Sequence, residues 1–188
     1  MDRLISQLER YVPWNEQEAR DREMLLYALR RLETPLTRDN VVAHFSASSW
    51  IVNPARTHAL MAWHNIYKAW SWTGGHADGE ADLLSVALRE AREETGLTRI
   101  APVTRDIFSV EVLPVNPHVK RRRFVSAHLH LNVTYLLEAD DGQALHCKPD
   151  ENSAVAWKPL AEAADCREEP VMLVIYNKLN QKLIEGGF

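Results

Sequence analysis

The first forty residues of the chain follow the 3.6-residue period that is typical of amphipathic helices. Asn15 is a suitable N-cap for the second of two helices, and Glu18 follows three residues later as in a capping box. The apolar stripe of the first helix and the buried face predicted for the second are formed by Leu4, Leu8 and Tyr11 and by Met24, Leu25, Ala28, Leu29 and Leu32. Because such stripes must be buried, we expect residues 1–40 to be a helical extension that packs against a larger body.

From residue 43 onwards, stretches with a period of two indicate strands that alternate with further helices. The predicted strands are 43–52, 58–63, 107–115, 124–137 and 155–157, and the predicted helices are 83–95 and 171–184. This interleaved order predicts an α/β or α+β fold in which helices cover a sheet. The chain contains no internal repeat and no long linker, so we expect residues 41–188 to form one domain.

Composition narrows the class of protein. A chain of 188 residues with a net charge of -4 can bury a sizeable core, and its acidic balance argues against a dedicated nucleic-acid binder. Its two cysteines, Cys147 and Cys166, indicate neither a disulfide scaffold nor a cysteine zinc site, so we expect a reducing, cytoplasmic location. The longest apolar run, 171–176, is too short to cross a bilayer, and no membrane partner is expected.

Residues 74–97 combine a glycine loop with an acidic helix. Asp82 is a suitable N-cap for this helix, and Gly96 is a suitable residue to end it. Three carboxylates fall within about 100° of arc on the helix surface: Glu90, Glu93 and Glu94. Carboxylate oxygens grouped in this way suit Mg²⁺ or Mn²⁺, whereas a solvated face paired with Arg89 and Arg92 is the alternative. The adjoining glycine turn, which allows a ligand to approach the backbone, favours the metal site.

Residues 89–97, Arg-Glu-Ala-Arg-Glu-Glu-Thr-Gly-Leu, resemble the signature of the Nudix hydrolases. In that family Gly, five residues, Glu and seven residues precede Arg-Glu-aliphatic-x-Glu-Glu-x-Gly-aliphatic, and the second half of the pattern matches here at every position. The first half departs from it, because Ala81 stands where the family has Glu and Glu80 lies one place early. The resemblance implies that Glu80 pairs with Arg89.

The resemblance also implies an αβα sandwich around a mixed sheet, with divalent metal held by the signature helix. Members of the family cleave a nucleoside diphosphate linked to another moiety by attack of water on phosphorus. Transferred to this chain, Glu90 and Glu94 are metal ligands and Glu93 is a third ligand or an acid/base group. The carbonyl of Gly74 completes the metal shell, and Arg89 belongs to the catalytic set. The implied cofactor is Mg²⁺ or Mn²⁺.

Family members often bring a further Glu to the metal from a loop far along the chain, and Glu151 stands where such a residue commonly lies. It is expected to be a metal ligand or the general base that activates water. A solvated turn acid is the alternative interpretation, and Asp150 is its neighbouring competitor.

Five further residues are candidates for substrate binding. Trp72 precedes the glycine loop and could stack on a nucleobase or pack in the core, and His76 could donate to a phosphate or face solvent. Arg122, in a run of four basic residues, could hold phosphate or lie in a solvated hairpin turn. His128 and His130 share the polar face of a strand, which could line a cleft or be exposed. They could also hold zinc, although their spacing indicates no third ligand.

The leading hypothesis is therefore a metal-dependent hydrolase of a diphosphate-containing small molecule. A prenyl-diphosphate isomerase with the same fold is one alternative, but the segment before the signature helix lacks a cysteine that could be catalytic. A non-catalytic module that senses a nucleotide is the other alternative. The N-terminal helices could cover the cleft or complete a homodimer, because the pattern does not say in which chain their stripe is buried.

Overall fold

The computed structural model describes residues 1–120, 122–165 and 170–188. Cys166 and Arg121 of the basic run lie outside the described residues. The helices are α1 (Asp2–Arg10), α2 (Glu16–Arg31), α3 (Leu83–Thr95), α4 (Leu160–Ala163) and α5 (Pro170–Glu185). The strands are β1 (Ala43–Val52), β2 (His58–His64), β3 (Ala69–Ser71), β4 (Thr73–His76), β5 (Ala101–Pro102), β6 (Ser109–Val115), β7 (His118–Lys120), β8 (Arg123–Val125), β9 (His128–Glu138) and β10 (Asn152–Pro159).

Eight of these strands form one mixed sheet, built around the parallel pair β1 and β9. Its main order is β10-β2-β1-β9-β5, and β3, β4 and β6 join by antiparallel pairing with β2, β1 and β9. Strands β7 and β8 form a separate hairpin. The strand predicted at 124–137 is therefore wrong as a single element. Its first residues pair within the hairpin, and its remainder from His128 pairs with β1 and β6.

Alternate side chains of β1 belong to two separate hydrophobic cores, one on each face of the strand. Phe45 and Ile51 join the core that contains the apolar side chains of α1, α2 and α3. Trp50 and Val52 join the core that contains the buried side of α5. Helices therefore cover both faces of the sheet, which confirms the expected α+β sandwich.

Helix α2 begins as predicted, since the side chain of Asn15 accepts a hydrogen bond of 3.0 Å from the N–H of Glu18. The reciprocal half of the capping box differs, because the Glu18 carboxylate accepts the N–H of Trp14, one residue before the N-cap. This carboxylate is fully buried and also meets the Lys182 ammonium of α5 at 2.8 Å. The prediction that Met24 is buried is wrong, since Met24 lies at the edge of the apolar face and is 45% exposed.

The apolar stripe of the N-terminal helices is buried within the chain itself. Leu4, Leu8, Leu25 and Leu29 all lie in the core beside α3, so no partner is needed to cover them. The homodimer stays a prediction. Within the described residues, no helix combines the length and the apolar character needed to cross a membrane.

Candidate functional site

The acidic helix α3 starts and stops where its end residues predict. The side chain of Asp82 accepts a hydrogen bond from the N–H of Ser85, which caps the first turn. Gly96 ends the helix with φ of 74°, a left-handed conformation that favours glycine. The apolar side of α3 packs under the sheet, so Glu90 and Glu94 are held near strand β4.

The structure brings Glu90 and Glu94 together with Glu151, which comes from the loop before β10. One carboxylate oxygen from each residue lies within 4.8 Å of the others. We call these three residues the carboxylate site. Asn152 holds the loop in place, because its buried side chain donates a hydrogen bond of 3.0 Å to the carbonyl of Glu94. The sequence pattern carries no signal for this positioning contact, which joins positions 58 residues apart.

Glu94 is the buried member of the carboxylate site, with 5% of its surface exposed. Burial raises its pKa to about 8, and the nearby charges of Glu151 and Glu90 act in the same direction. A hydrogen bond of 2.9 Å from the backbone N–H of Gly74 opposes this shift. Burial also raises the pKa of Glu90, against the effect of its hydrogen bond with Arg89.

The carboxylate of Glu93 lies outside the carboxylate site. Its side chain is 46% exposed and forms an ion pair of 3.0 Å with Lys148. The same ammonium lies 3.1 Å from Glu151, so it bridges the two acids. Arg89 contacts Glu90 at 3.2 Å and Glu93 at 4.0 Å.

The expected pairing of Glu80 with Arg89 is wrong. Among the described residues, Arg89 forms its ion pairs with Glu90 and Glu93. Glu80 instead accepts a hydrogen bond of 2.8 Å from the N–H of Asp82, just before α3 begins. Its position one place early in the signature therefore leaves it in the loop that leads into the helix.

Three carboxylate oxygens at one point fit a hard divalent cation. Mg²⁺ and Mn²⁺ prefer oxygen ligands, and Mg²⁺ is commonly bound by only a few carboxylates together with water and substrate phosphates. The buried Glu94 is consistent with this fit, because a bound cation would stabilise its charged form where burial disfavours it. The N–H of Gly74 is already committed to Glu94, and the predicted role of the Gly74 carbonyl stays a prediction.

Two of the five substrate-binding candidates, Trp72 and Arg122, are not among the histidines that the structure brings together. The N–H of Trp72 donates to the hydroxyl of Tyr176 at 3.1 Å, and the two rings meet edge to face, so Trp72 packs partly against α5. Arg122 is exposed in the turn between β7 and β8, with φ of 63°. Substrate binding by either residue stays a prediction.

The other candidates gather around a residue that the sequence analysis missed. His76, His128 and His130 surround His44 of β1, with each of their ring centroids 4.9 to 5.2 Å from that of His44. A signal for His44 exists in the chain, because β1 alternates between polar residues at 44, 46 and 48 and apolar residues between them. We call His44, His76, His128 and His130 the histidine cluster.

The polar face of the sheet continues from the histidine cluster into the interior. The Asn132 side-chain oxygen accepts hydrogen bonds from the hydroxyls of Ser46 at 3.0 Å and Ser48 at 2.9 Å. Its amide group donates to the buried carboxylate of Glu111, which pairs with Lys178 of α5 at 2.9 Å. Each of these polar groups therefore has a hydrogen-bond or ion-pair partner within the row, as buried polar groups require.

Solved structures with the same fold include several hydrolases. A C. elegans Ap4A hydrolase is 17% identical, covers 77% of this chain and 98% of its own, and has a TM-score of 0.55. A MutT protein from Methanosarcina mazei Go1 is 15% identical, with coverage of 75% and 95% and a TM-score of 0.59. The NUDIX domain of Shewanella oneidensis NrtR, complexed with ADP ribose, is 16% identical, with coverage of 83% and 96% and a TM-score of 0.52.

These similarities establish the fold, and the family rests on a separate comparison. No match is found among curated proteins. The family model of the NUDIX domain matches residues 42–179, which is most of the chain and includes α3 and the carboxylate site. The chain therefore belongs to the Nudix family of hydrolases.

Proposed function

We propose that this Nudix hydrolase depends on a divalent metal and cleaves the diphosphate linkage between a nucleoside and another moiety. The observation that carries the proposal is the carboxylate site, in which Glu90, Glu94 and Glu151 bring three oxygens within 4.8 Å. The site lies against strand β4, where Gly74 donates its N–H to Glu94 and the absence of a side chain at Gly75 leaves the space that Glu90 occupies.

The three acids of the carboxylate site would hold Mg²⁺ or Mn²⁺. When bound, such an ion neutralises pyrophosphate oxygens and lowers the pKa of a coordinated water. Gly74 orients Glu94 through its N–H, and Asn152 orients the Glu151 loop through the carbonyl of Glu94. Their contribution is to fix the ligands before the substrate arrives.

Glu93 is proposed as an acid/base group beside the carboxylate site. Its carboxylate is half exposed and within reach of solvent, and Lys148 holds it next to Glu151. Either Glu93 or Glu151 could accept the proton of the attacking water. Arg89, which contacts Glu90 and Glu93, is proposed to keep these two side chains in position.

The proposed substrate class is a nucleoside diphosphate derivative. The names of the C. elegans Ap4A hydrolase and of the Shewanella oneidensis domain with ADP ribose support this class. The histidines at 76, 128 and 130 would line the approach to the phosphates, and Trp72 would offer a partly exposed ring. These assignments go beyond what family membership shows, and a screen of substrates tests them.

The test is a panel of nucleoside diphosphate derivatives and a prenyl diphosphate, each incubated with Mg²⁺ or Mn²⁺. We expect release of a nucleoside monophosphate or phosphate product. Glu94→Gln should lower the rate by more than the roughly 10- to 100-fold that is typical of losing an outer partner of a metal ligand. Glu162→Gln, on the exposed surface of α4, is the control and should retain full activity.

Three results would contradict the proposal. An isomerised prenyl diphosphate without hydrolysis would indicate the isomerase, and tight nucleotide binding without turnover would indicate a sensor. Activity that persists in Glu94→Gln and in the presence of a chelator would remove the role of the carboxylate site.

A further inference from the structure

Four of the eight histidines of the chain gather on one face of the sheet. His44 lies on the central strand β1, opposite His130 on β9, and β4 with His76 pairs with the other edge of β1. The ring centroids of neighbouring members are 4.8 to 5.2 Å apart. Three adjacent strands thus direct their imidazoles to a common point.

His44 is the most constrained member of the histidine cluster. Its residue is 4% exposed, and its Nδ1 lies 2.9 Å from the carbonyl oxygen of Asn40. Because a carbonyl oxygen only accepts hydrogen bonds, Nδ1 carries the proton and Nε2 carries the lone pair. In metal-binding histidines, the ring nitrogen that does not bind the metal usually donates its N–H to a carboxylate, a backbone carbonyl or water. His44 Nδ1 has this arrangement.

The lone pair of His44 Nε2 is buried and has no hydrogen-bond partner within the part of the chain that the structure describes. A buried acceptor without a partner costs free energy, of the order of 1–3 kcal/mol. Unpaired buried polar atoms are rare in folded proteins, and a bound water or ion satisfies many of them. This atom points to a ligand inside the cluster.

The positions of the imidazole nitrogens in the cluster match those expected around a metal ion. The ligand nitrogens of His44, His76 and His130 all lie within 4.8 Å of one another. In a tetrahedral zinc site with Zn–N of about 2.0–2.1 Å, the nitrogens are about 3.3 Å apart, so small ring rotations would close the site. His128 adds a reserve ligand, because its Nδ1 is held by the Ser126 carbonyl and its Nε2 lies 3.3 Å from His130 Nε2.

We propose that His44, His76 and His130 form a second metal site, distinct from the carboxylate site, for a transition-metal dication such as Zn²⁺. Imidazole nitrogen suits zinc, copper, nickel and iron, whereas the oxygens of the carboxylate site suit Mg²⁺ and Mn²⁺. The two sites would therefore hold different ions in one protein. Three protein ligands leave a fourth position for water or a substrate oxygen.

Strand β4 joins the two sites. Gly74 donates its N–H to Glu94 of the carboxylate site, and His76 lies two residues further along the same strand. Two residues of a strand span about 7 Å, so the backbone positions of Gly74 and His76 lie close together along β4.

The test uses the metal alone. Metal-free protein is titrated with Zn²⁺ against a chromophoric chelator, and Co²⁺ is used to record the absorption bands of a nitrogen-ligated ion. We expect one tightly bound Zn²⁺ per chain and intense Co²⁺ bands of low coordination number. His130→Ala and His76→Ala should each weaken Zn²⁺ binding at least about tenfold and remove the bands.

Matched controls separate this site from others. Two histidines lie outside the cluster, the partly exposed His118 and the exposed His146. His118→Ala and His146→Ala should leave Zn²⁺ binding unchanged. The double variant Glu90→Gln with Glu94→Gln should also retain the Zn²⁺ site. Zn²⁺ should raise the thermal unfolding midpoint of the unaltered chain more than that of His130→Ala, because only a folded site binds the ion.

Three outcomes would overturn the proposal: no tight Zn²⁺ binding, equal binding in the His130→Ala and His76→Ala variants, or loss of binding only in the glutamate double variant. Both test histidines are half-buried, so they report on the site even if a change at the buried His44 prevents folding. Hydrolase activity does not enter the readout, so the result is independent of the proposed function.

Discussion

The backbone N–H of Gly74 donates a hydrogen bond of 2.9 Å to Oε1 of Glu94. This contact joins strand β4 to helix α3 and orients Glu94, the most buried acid of the carboxylate site. A side chain at position 74 would bring its Cβ within 2.7 Å of both the Ser48 hydroxyl oxygen and the Ala47 carbonyl oxygen. Position 74 requires glycine, because a side chain there would collide with β1. Without a side chain, the backbone lies close to β1 and its N–H reaches Glu94.

Gly75→Ala should weaken metal binding while the fold is retained. The added Cβ would lie 2.5 Å from Cδ of Glu90, so this side chain would have to move away from the carboxylate site. Titration with Mn²⁺, followed by the magnetic resonance signal of the free ion, measures the change. Gly142→Ala is the control, because that glycine lies in the turn that follows β9 and an added Cβ there would meet only the end of the Asp140 side chain. Equal Mn²⁺ affinity in the two variants would contradict this prediction.

Neutralising the acids one at a time should divide them into two groups. Glu90→Gln, Glu94→Gln and Glu151→Gln should each reduce Mn²⁺ affinity, because these three carboxylates converge. Glu93→Gln should reduce the affinity least, since its carboxylate is turned towards Lys148. If Glu93 acts as the general base, its variant should lower kcat at saturating metal. A loss of Mn²⁺ binding in Glu93→Gln as large as that in Glu94→Gln would disprove this division.

The stability of the metal-free chain should fall as the pH rises, in a way that depends on Glu94. Burial raises the pKa of this group from about 4.5 to about 8, so the folded state holds a proton that the unfolded state has released. The stability it contributes is complete below pH 4.5 and is lost as the pH approaches 8. This contribution is measured by urea unfolding of the unaltered chain and of Glu94→Gln, in the presence of a chelator and at several pH values. A pH-independent difference between the two proteins would refute the assignment.

Glu18→Ala should strongly destabilise the protein. Glu18 is fully buried and meets the ammonium groups of Lys178 at 3.2 Å and Lys182 at 2.8 Å. Lys178 keeps its ion pair with Glu111, but the buried ammonium of Lys182 loses its carboxylate partner, and such changes cost about 3–5 kcal/mol. Glu23→Ala on the same helix is the control, because the exposed pair of Glu23 with Arg20 should contribute less than about 1 kcal/mol. Urea unfolding of both variants measures the loss of stability in each. Similar losses in the two variants would contradict the predicted role of the buried ion pairs.

Local features were predictable because neighbouring residues alone determine them. The ends of α3 follow from Asp82, whose side chain caps a backbone N–H, and from Gly96, which accepts a left-handed conformation. The period of two from residue 43 predicts a strand over 43–52, and β1 confirms it. The single strand predicted at 124–137 failed because periodicity does not reveal the partner with which each part of a strand pairs.

The sequence by itself determined the signature helix, the order of its acids and the family to which they point. Only the tertiary structure decided that Glu151 joins Glu90 and Glu94 while Glu93 turns to Lys148, because these contacts depend on how a loop more than fifty residues away packs on α3. The histidine cluster arises in the same way. Its members come from three strands distant in sequence, and only the pairing of those strands places their side chains on one face.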